Sequence, residues 1–428
     1  MTILRNMSSK PPRALLAMTL IMGFASGLPL ALSAGTLQAW LTVEGVDLRT
    51  LGWLTVLGLP YTYKFGWAPL MDRYQIGGGW GGRRRGWLVL LLLAMAGVLF
   101  ALSLSDPSET HGLLRMAILA FVLVVFSASF DIVFDAWRAE SLTPEQRGLG
   151  AAWSVIGYRM AMLTSGGLAL MLADLYWGFS GSYRLMAGLC LVLAAVACFC
   201  PEPSQVRPPQ RLREAVVEPF REFFSRRGAL WLLLGIVLYK LGDAFAASLS
   251  TAFLIRGAGF SPAEVGAVNK GMGLAATLVG GLAGGWLIAR LALWRSLLLF
   301  GGLQAVTNLG FWWLAHDVAR LEDMMLVVLL ENLAGGMGTA AFVALLMSLC
   351  HTQFTATQFA LLSALASLGR VWVGPVAGEA ASQWGWGPFF IASFFVALPG
   401  IVLMGLLRQT IEQAERGPDP PPKKEIAS

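Results

Sequence analysis

The sequence predicts an all-α membrane protein of twelve transmembrane helices in two six-helix halves, and three observations carry that prediction. Hydrophobic residues make up 56% of the 428 and charged residues only 13%, about half the charged share of a soluble domain. Mean hydropathy is +0.66, and almost all apolar residues fall in runs about twenty long, the length that spans a bilayer as a helix. The longest polar connection, 201–228, divides those runs six and six. A soluble, disordered or collagen-like chain is excluded.

The twelve runs lie at 14–40, 50–71, 86–105, 113–136, 149–173, 184–200, 229–254, 263–289, 294–315, 324–349, 357–381 and 387–407. The first is far longer than the apolar core of a cleavable signal peptide, so the start reads as a spanning helix. The domains expected are an N-terminal six-helix bundle (1–200), a cytoplasmic linker (201–228), a C-terminal bundle (229–408) and a disordered tail (409–428). Within the linker, Leu212, Val216, Phe220 and Phe224 recur every four residues between arginines. That spacing suits an amphipathic helix resting on the inner membrane surface. The tail GPDPPPKKEIAS cannot bury a core.

With both termini cytoplasmic, the loops and tails on that side hold 21 Lys and Arg, against five on the other face. The positive-inside rule therefore sets both ends in the cytoplasm. The basic residues are strung between apolar runs, so the formal charge of +6 does not point to nucleic acid.

The halves repeat weakly. EGVDLRTLG (44–52) matches AGFSPAEVG (258–266), and the spacing of Arg147 and Arg159 recurs in Gln358 and Arg370. Two six-helix halves around a central path are the architecture of a major facilitator transporter.

An ionisable residue inside a spanning helix normally faces a cavity or a partner. Eight stand out: Lys64, Asp131, Arg159, Lys240, Asp243, Lys270, Glu331 and Arg370. Five are cationic, which suits a cavity receiving an anion. Arg159 and Arg370 fall near mid-depth at equivalent places in the repeat. Guanidinium groups grip carboxylates bidentately, so these two are substrate candidates; the alternative is that each is neutralised nearby and only pins helices.

Asp131 and Asp135 lie one turn apart on one helix face. Two carboxylates in a poorly solvated place suit proton coupling; the alternative is an inner gate pairing with Arg73 or Arg138. Lys240 and Asp243 are spaced to pair. Glu331 is either a second proton site or the neutraliser of Lys270. No metal site, P-loop or nucleophile–base motif occurs, so no cofactor and no enzymatic activity are expected. The four cysteines read as apolar packing residues.

APLMDRY (68–74) followed by GRRRG (82–86) resembles the superfamily signature between the second and third helices, with Ala68 in place of the usual glycine. It implies a gate role for Asp72 and Arg73, with Arg138 at the same level. More specific are GFASGLPLALSAGTLQAW (23–40), KFGWAPLMDRY (64–74), DIVFDAW (131–137), LYKLGDAFA (238–246), ENLAGGMGTAAFVALLMSLC (331–350) and ATQFALLSALASLGRVWVGPVAG (356–378). These blocks resemble the AmpG muropeptide permeases. Two departures stand: Phe130 occupies a place where a polar glutamine is expected, and some relatives carry two further C-terminal helices.

The resemblance implies import of N-acetylglucosamine–anhydro-N-acetylmuramyl peptides from periplasm to cytoplasm, driven by protons, for cell-wall recycling and, in some bacteria, β-lactamase induction. The setting implied is a bacterial inner membrane, with the lipid bilayer and protons as partners and a monomeric state. The cargo carries several carboxylates, so Arg159, Arg370, Lys64, Lys240 and Lys270 are its expected cationic contacts. Gln38 and Tyr61, with Trp40 and Tyr63, are candidates for the sugar rings. Expected proton-coupling residues are Asp131, Asp135, Asp243 and Glu331. The alternative is transport of another bulky anion, such as a different glycopeptide or an acyl-CoA-like molecule.

Overall fold

The computed structural model describes residues 13–74, 76, 82–142, 147–203, 228–316, 319–349 and 355–416. Every regular element among them is helical. Helices α1 (Arg13–Ser33) and α2 (Gly35–Val43) form one run broken at Ala34. Helices α3 (Leu48–Trp53), α4 (Leu59–Tyr63) and α5 (Ala68–Arg73) are joined through 3₁₀ turns at Leu54–Gly58 and Lys64–Gly66. Helices α6 (Arg85–Ser103) and α7 (Gly112–Ser141) are continuous. Helix α8 (Arg147–Met162) passes through π segments at Leu163–Leu168 and Ala173–Trp177, with α9 (Ala169–Leu172) between them, into α10 (Gly178–Ala197).

Helix α11 (Ala229–Ala247) is followed by α12 (Ser250–Ala252) and a π segment at Phe253–Gly257. Helix α13 (Pro262–Val265) enters another, Gly266–Met272, and continues as α14 (Gly273–Ile288). Then come α15 (Leu293–Leu314), α16 (Leu321–Ser348), α17 (Thr355–Trp384), α18 (Trp386–Leu406) and α19 (Arg408–Arg416). Nine stretches among the described residues are long and apolar enough to cross a membrane. One of them, Ala152–Ala197, is 46 residues and contains two passes of helix, while α3–α5 and α17 fall outside the nine. The count is consistent with twelve.

The breaks have local causes. Pro29 sits inside α1 and has no N–H to continue the ladder; Ser33 Oγ donates back to the Pro29 carbonyl at 2.9 Å, and the helix stops there. The π segment Leu163–Leu168 contains Gly166 and Gly167, and Gly266–Met272 contains Gly266 and Gly271. Such wide turns cluster at functional sites.

The chain forms two compact units. The first comprises Met1–Gln210 with Ser248–Met272 and Gly374–Ser382. Inside it α1 and α8 touch backbone to backbone: a Cβ on Gly23 or Gly27 would strike the Ser154 or Tyr158 carbonyl, and one on Gly157 the Leu20 carbonyl. Small residues at helix contacts are the membrane way of packing, since lipid gives no hydrophobic drive between helices. Trp40 is buried against Phe179 and Tyr183, ring centroids 5.7 and 5.2 Å away.

The second unit comprises Arg211–Ala247, Gly273–Val373 and Gln383–Ser428. Its core gathers Ile236, Tyr239, Leu297, Phe300, Phe342 and Met404. The Tyr239 ring lies parallel to Phe342 at 5.8 Å and its hydroxyl donates to the Leu297 carbonyl at 3.0 Å. Large apolar side chains such as Phe199, Leu282 and Leu406 are more than three-quarters exposed, which only a lipid environment makes tolerable.

One expectation is corrected. The stretch from 409 begins as helix α19 rather than as a disordered tail, because it has something to bury. Ile411 is fully enclosed in the core of the second unit, Arg408 lies 4.4 Å over the Trp294 ring, and Arg408 pairs with Glu412 at 2.8 Å. The amphipathic linker at 212–224, the tail from 417, and the side chains of Asp72 and Arg73 lie outside the described residues.

Candidate functional site

Helix α7 supplies the spine of a polar site in the first unit. Ser127, Asp131 and Asp135 recur every four residues and so share a face. Opposite them, the tight turns between α3 and α5 bring Tyr61, Lys64 and Trp67 into register, since i and i+3 nearly eclipse in 3₁₀ geometry. Tyr61 donates to Ser127 Oγ at 2.8 Å, and Trp67 Nε1 to Ser129 Oγ at 3.0 Å. Lys64 Nζ stands 3.9 Å from Asp131 Oδ2, with side chains 34% and 18% exposed. The other carboxylate oxygen, Oδ1, accepts from Ser26 Oγ at 2.5 Å. The glycine contacts with α8 fix α1, and thereby hold Ser26 on Asp131.

Asp131, Lys64 and Tyr61 are therefore brought together. Tyr158 lies within electrostatic reach of both Asp131 and Arg159, which adds Arg159 to the same neighbourhood. The half-buried Arg159 directs Nη1 toward Met162 sulfur at 3.9 Å, and among the described residues no carboxylate is within ion-pair distance of it. Asp135 pairs with Arg138 at 3.0 Å, and that guanidinium also lies 5.6 Å from the Phe134 ring centroid. Phe130, where a polar residue was expected, is fully buried and heads a stack through Phe134 to Trp137.

In the second unit Lys240 Nζ is 3.4 Å from Asp243 Oδ2 and 3.2 Å from Thr339 Oγ1, with the Phe342 ring 5.9 Å away. Glu331 accepts from Asn332 Nδ2 at 2.8 Å, while Asn332 Oδ1 accepts from Thr277 at 3.1 Å. Arg370 is exposed on α17.

Lys270 and Gln38 sit elsewhere in the first unit. Lys270 Nζ is 3.5 Å from Thr251 Oγ1 and lies over Gly35 and Gly166. Gln38 is buried and donates to the Ser248 carbonyl at 2.7 Å. Trp40 is a core residue, while Tyr63 is 46% exposed.

Sequence reasoning missed a second charged cluster. Glu140, on the last turn of α7, accepts from Arg83 Nη2 at 2.8 Å and from Arg84 Nη2 and Nε at 2.6 and 3.1 Å. Glu202 accepts from the backbone N–H groups of Arg83, Arg84 and Arg85 at 2.7, 2.8 and 3.0 Å. An anion there satisfies the orphan donors that open α6 and complements its dipole. The arginine run was visible in the sequence; its carboxylate partners, 57 and 119 residues from Arg83, carried no local signal.

Polar and charged side chains within apolar spanning helices mark a polytopic membrane protein, and its relatives make it a transporter. The Major Facilitator Superfamily profile matches residues 14–374. The anhydromuropeptide permease of Escherichia coli (strain K12) is 54% identical over 401 residues, covering 92% of this chain and 80% of that protein. A putative transporter AmpG 4 of Rickettsia felis is 33% identical, covering 91% and 96%. Among solved structures, a POT family transporter in complex with 5-aminolevulinic acid superposes with a TM-score of 0.70 at 12% identity, covering 93% and 96%. The nucleoside transporter NupG gives 0.67 at 12%, covering 93% and 99%; at such identity the likeness is one of fold. The chain belongs to the major facilitator superfamily and, within it, to the AmpG permeases.

Proposed function

We propose that this protein imports anhydromuropeptides from the periplasm into the cytoplasm across the bacterial inner membrane, with both termini cytoplasmic. The observation that carries the reading is 54% identity to a characterised anhydromuropeptide permease across nine-tenths of the chain. Intramembrane cations support it: Lys64, Arg159, Lys240 and Arg370 suit a cargo whose peptide carries several carboxylates.

Proton coupling is assigned to Asp131. Its carboxylate sits between a hydroxyl donor and an ammonium group at a distance, 3.9 Å, that a substrate carboxylate can contest. Once Lys64 turns to the cargo, Asp131 loses its counter-charge, and protonation becomes favourable in that poorly solvated place. Binding of an anion and binding of a proton are thereby linked. Lys240 and Asp243 repeat the arrangement in the second unit, with Asp135 and Glu331 as further acidic positions on α7 and α16.

The test is uptake of labelled anhydromuropeptide into proteoliposomes of purified protein under an imposed pH gradient. Accumulation that collapses with a protonophore is the expected result. Flux indifferent to the gradient would remove the coupling, and absence of muropeptide flux beside uptake of another bulky anion would remove the cargo.

A further inference from the structure

Three arginines of the second unit lie on two indole rings at one end of its helices. Arg290, two residues past the end of α14, places its guanidinium 3.9 Å from the centroid of the Trp286 ring. Across the following turn, Arg295 in the first turn of α15 and Arg408 at the start of α19 share a single ring, Trp294, at 5.3 and 4.4 Å. Sharing one ring holds those two charges close together. The cause is the docking of α19: Ile411 enters the core of the second unit with Leu407 and Ala414 beside it, which brings Arg408 onto Trp294.

The charges there do not balance. Arg408 has Glu412 as a counter-ion at 2.8 Å, while among the described residues no carboxylate is within ion-pair distance of Arg290 or Arg295. Three cations thus face one anion, and all three guanidiniums are exposed. The same turn carries the N-terminus of α15, where Ala292 provides no side-chain cap, so the helix dipole adds to the attraction for an anion.

The surface leading to the cations is apolar and exposed. Leu278, Leu282 and Trp286 recur every four residues along α14, and Arg290 follows at the same spacing. Leu299 stands one turn beyond Arg295 on α15, and Val402 and Leu406 precede Arg408 at the end of α18. A free anion uses the charges and leaves these side chains idle. A molecule with a phosphate at one end and hydrocarbon behind it uses both.

We infer that Arg290, Arg295 and Arg408 form a binding site for the headgroup of an anionic phospholipid, whose acyl chains lie along the exposed leucines of α14 and α15. The tryptophans hold the guanidiniums in place, and the phosphate offsets the charge that Glu412 leaves uncompensated. Basic clusters at helix ends are a recurring means of holding such lipids. With the orientation proposed above, the lipid belongs to the inner leaflet. Because Arg408 belongs to α19 and Arg295 to α15, a phosphate bound by both also fastens α19 to the bundle.

In the experiment, the purified full chain in neutral detergent is titrated with phosphatidylglycerol or phosphatidylcholine, with and without inorganic phosphate, and bound lipid is counted by native mass spectrometry. Phosphatidylglycerol is expected to be retained in preference to phosphatidylcholine. An arginine near a membrane surface is worth about fivefold in holding an anionic lipid. Arg290→Gln and Arg295→Gln should therefore each lower phosphatidylglycerol affinity about fivefold, and Arg295→Gln with Arg408→Gln roughly twenty- to thirtyfold. Phosphatidylcholine should be unaffected, and Arg295→Lys should keep most of the affinity because the charge stays. Where Arg408→Gln unseats α19, the variants at Arg290 and Arg295, which lie outside that helix, carry the test. Arg184→Gln removes the same charge from an exposed position of the first unit and should change nothing.

Equal retention of the two lipids overturns the site. So does a loss in Arg184→Gln that matches Arg295→Gln, which would make the preference one of net charge. Displacement of phosphatidylglycerol by an equal concentration of inorganic phosphate would make it a free-anion site instead. None of these readings involves the cargo, so they stand or fall apart from the muropeptide assignment.

Discussion

Lys64 Nζ and Asp131 Oδ2 stand 3.9 Å apart while Ser26 holds the other oxygen of the same carboxylate at 2.5 Å. The carboxylate is thus tightly oriented on one side and loosely paired on the other. That asymmetry matters because a buried pair contributes little net stability when intact and is harmful when half broken. Lys64→Met should therefore impair folding and transport more than the double replacement Lys64→Met with Asp131→Asn, which removes both charges. Thermal stability of purified protein and counterflow activity check this. A double variant worse than Lys64→Met alone would mean the two residues do not share one site.

Arg159 and Arg370 should discriminate cargo by charge. A hydrogen bond to an ionised group is worth roughly 1.5–3 kcal/mol, so Arg159→Ala or Arg370→Ala should weaken a peptide-bearing muropeptide by about ten- to a hundredfold. The peptide-free anhydrodisaccharide should lose far less. Competition uptake with the two ligands reads the difference, and equal losses would reduce the arginines to helix fasteners.

Glu140 makes a prediction about stability alone. Its carboxylate neutralises Arg83 and Arg84, the latter almost completely buried. Glu140→Gln removes the carboxylate charge that both guanidiniums share while keeping one acceptor oxygen, and weakening a buried pair this way costs up to about 3–5 kcal/mol. A marked drop in melting temperature is expected, with muropeptide affinity of the surviving folded fraction intact.

Much of this was legible in the sequence, and the reasons for the rest are physical. Twenty-residue apolar runs dictate spanning helices because lipid leaves the backbone no other partner, so the runs were readable in advance. Asp131 and Lys240 were visible because charge inside an apolar run is rare. Ser26 was not: a serine in a transmembrane helix usually bonds its own backbone, and only the Gly23–Gly27 contact with α8 reveals where this one points. Trp40 reads in the sequence as a candidate for the sugar rings and is packed on Phe179. Its role depends on a partner 139 positions away, which no local pattern encodes. The acceptor of Gln38 lies 210 residues on, equally beyond any local pattern.

Asp47 caps α3, accepting from the Thr50 N–H at 3.0 Å and the Thr50 hydroxyl at 2.6 Å. These bonds favour the ionised form, the side-chain bond from Thr50 most, and hold the Asp47 carboxyl below its ordinary value. A folded-state value below the unfolded one gives stability that is present above the unfolded range and is lost as pH falls through the depressed value. The protection factor of the Thr50 amide, its exchange relative to the intrinsic rate at the same pH, should therefore be steady at neutral pH and fall only on acidification below about pH 4. Asp47→Ala should lower that factor at neutral pH by roughly the fivefold that a cap of about 1 kcal/mol implies, and Asp47→Asn should remove the acid limb while keeping the cap.

The coupling assignment rests on Asp131→Asn. Asparagine has nearly the shape of protonated aspartate and cannot release a proton, so the site is fixed in its loaded charge state. Exchange of external for internal muropeptide requires only the loaded carrier to reorient. Net accumulation requires the proton to leave on the inside, so that the empty carrier can return with Lys64 and Asp131 paired again. Asp131→Asn should therefore keep muropeptide binding and counterflow at a substantial fraction of the wild-type rate while losing pH-driven accumulation. Ser26 can donate to the asparagine carbonyl oxygen as it does to Oδ1, so the local packing should survive. Both assays run in the same vesicles, with the amount of inserted protein measured. Accumulation at the wild-type level would strip Asp131 of the role and pass it to Asp243, whose pairing with Lys240 at 3.4 Å is the second place where a cargo carboxylate can displace an acid from its lysine.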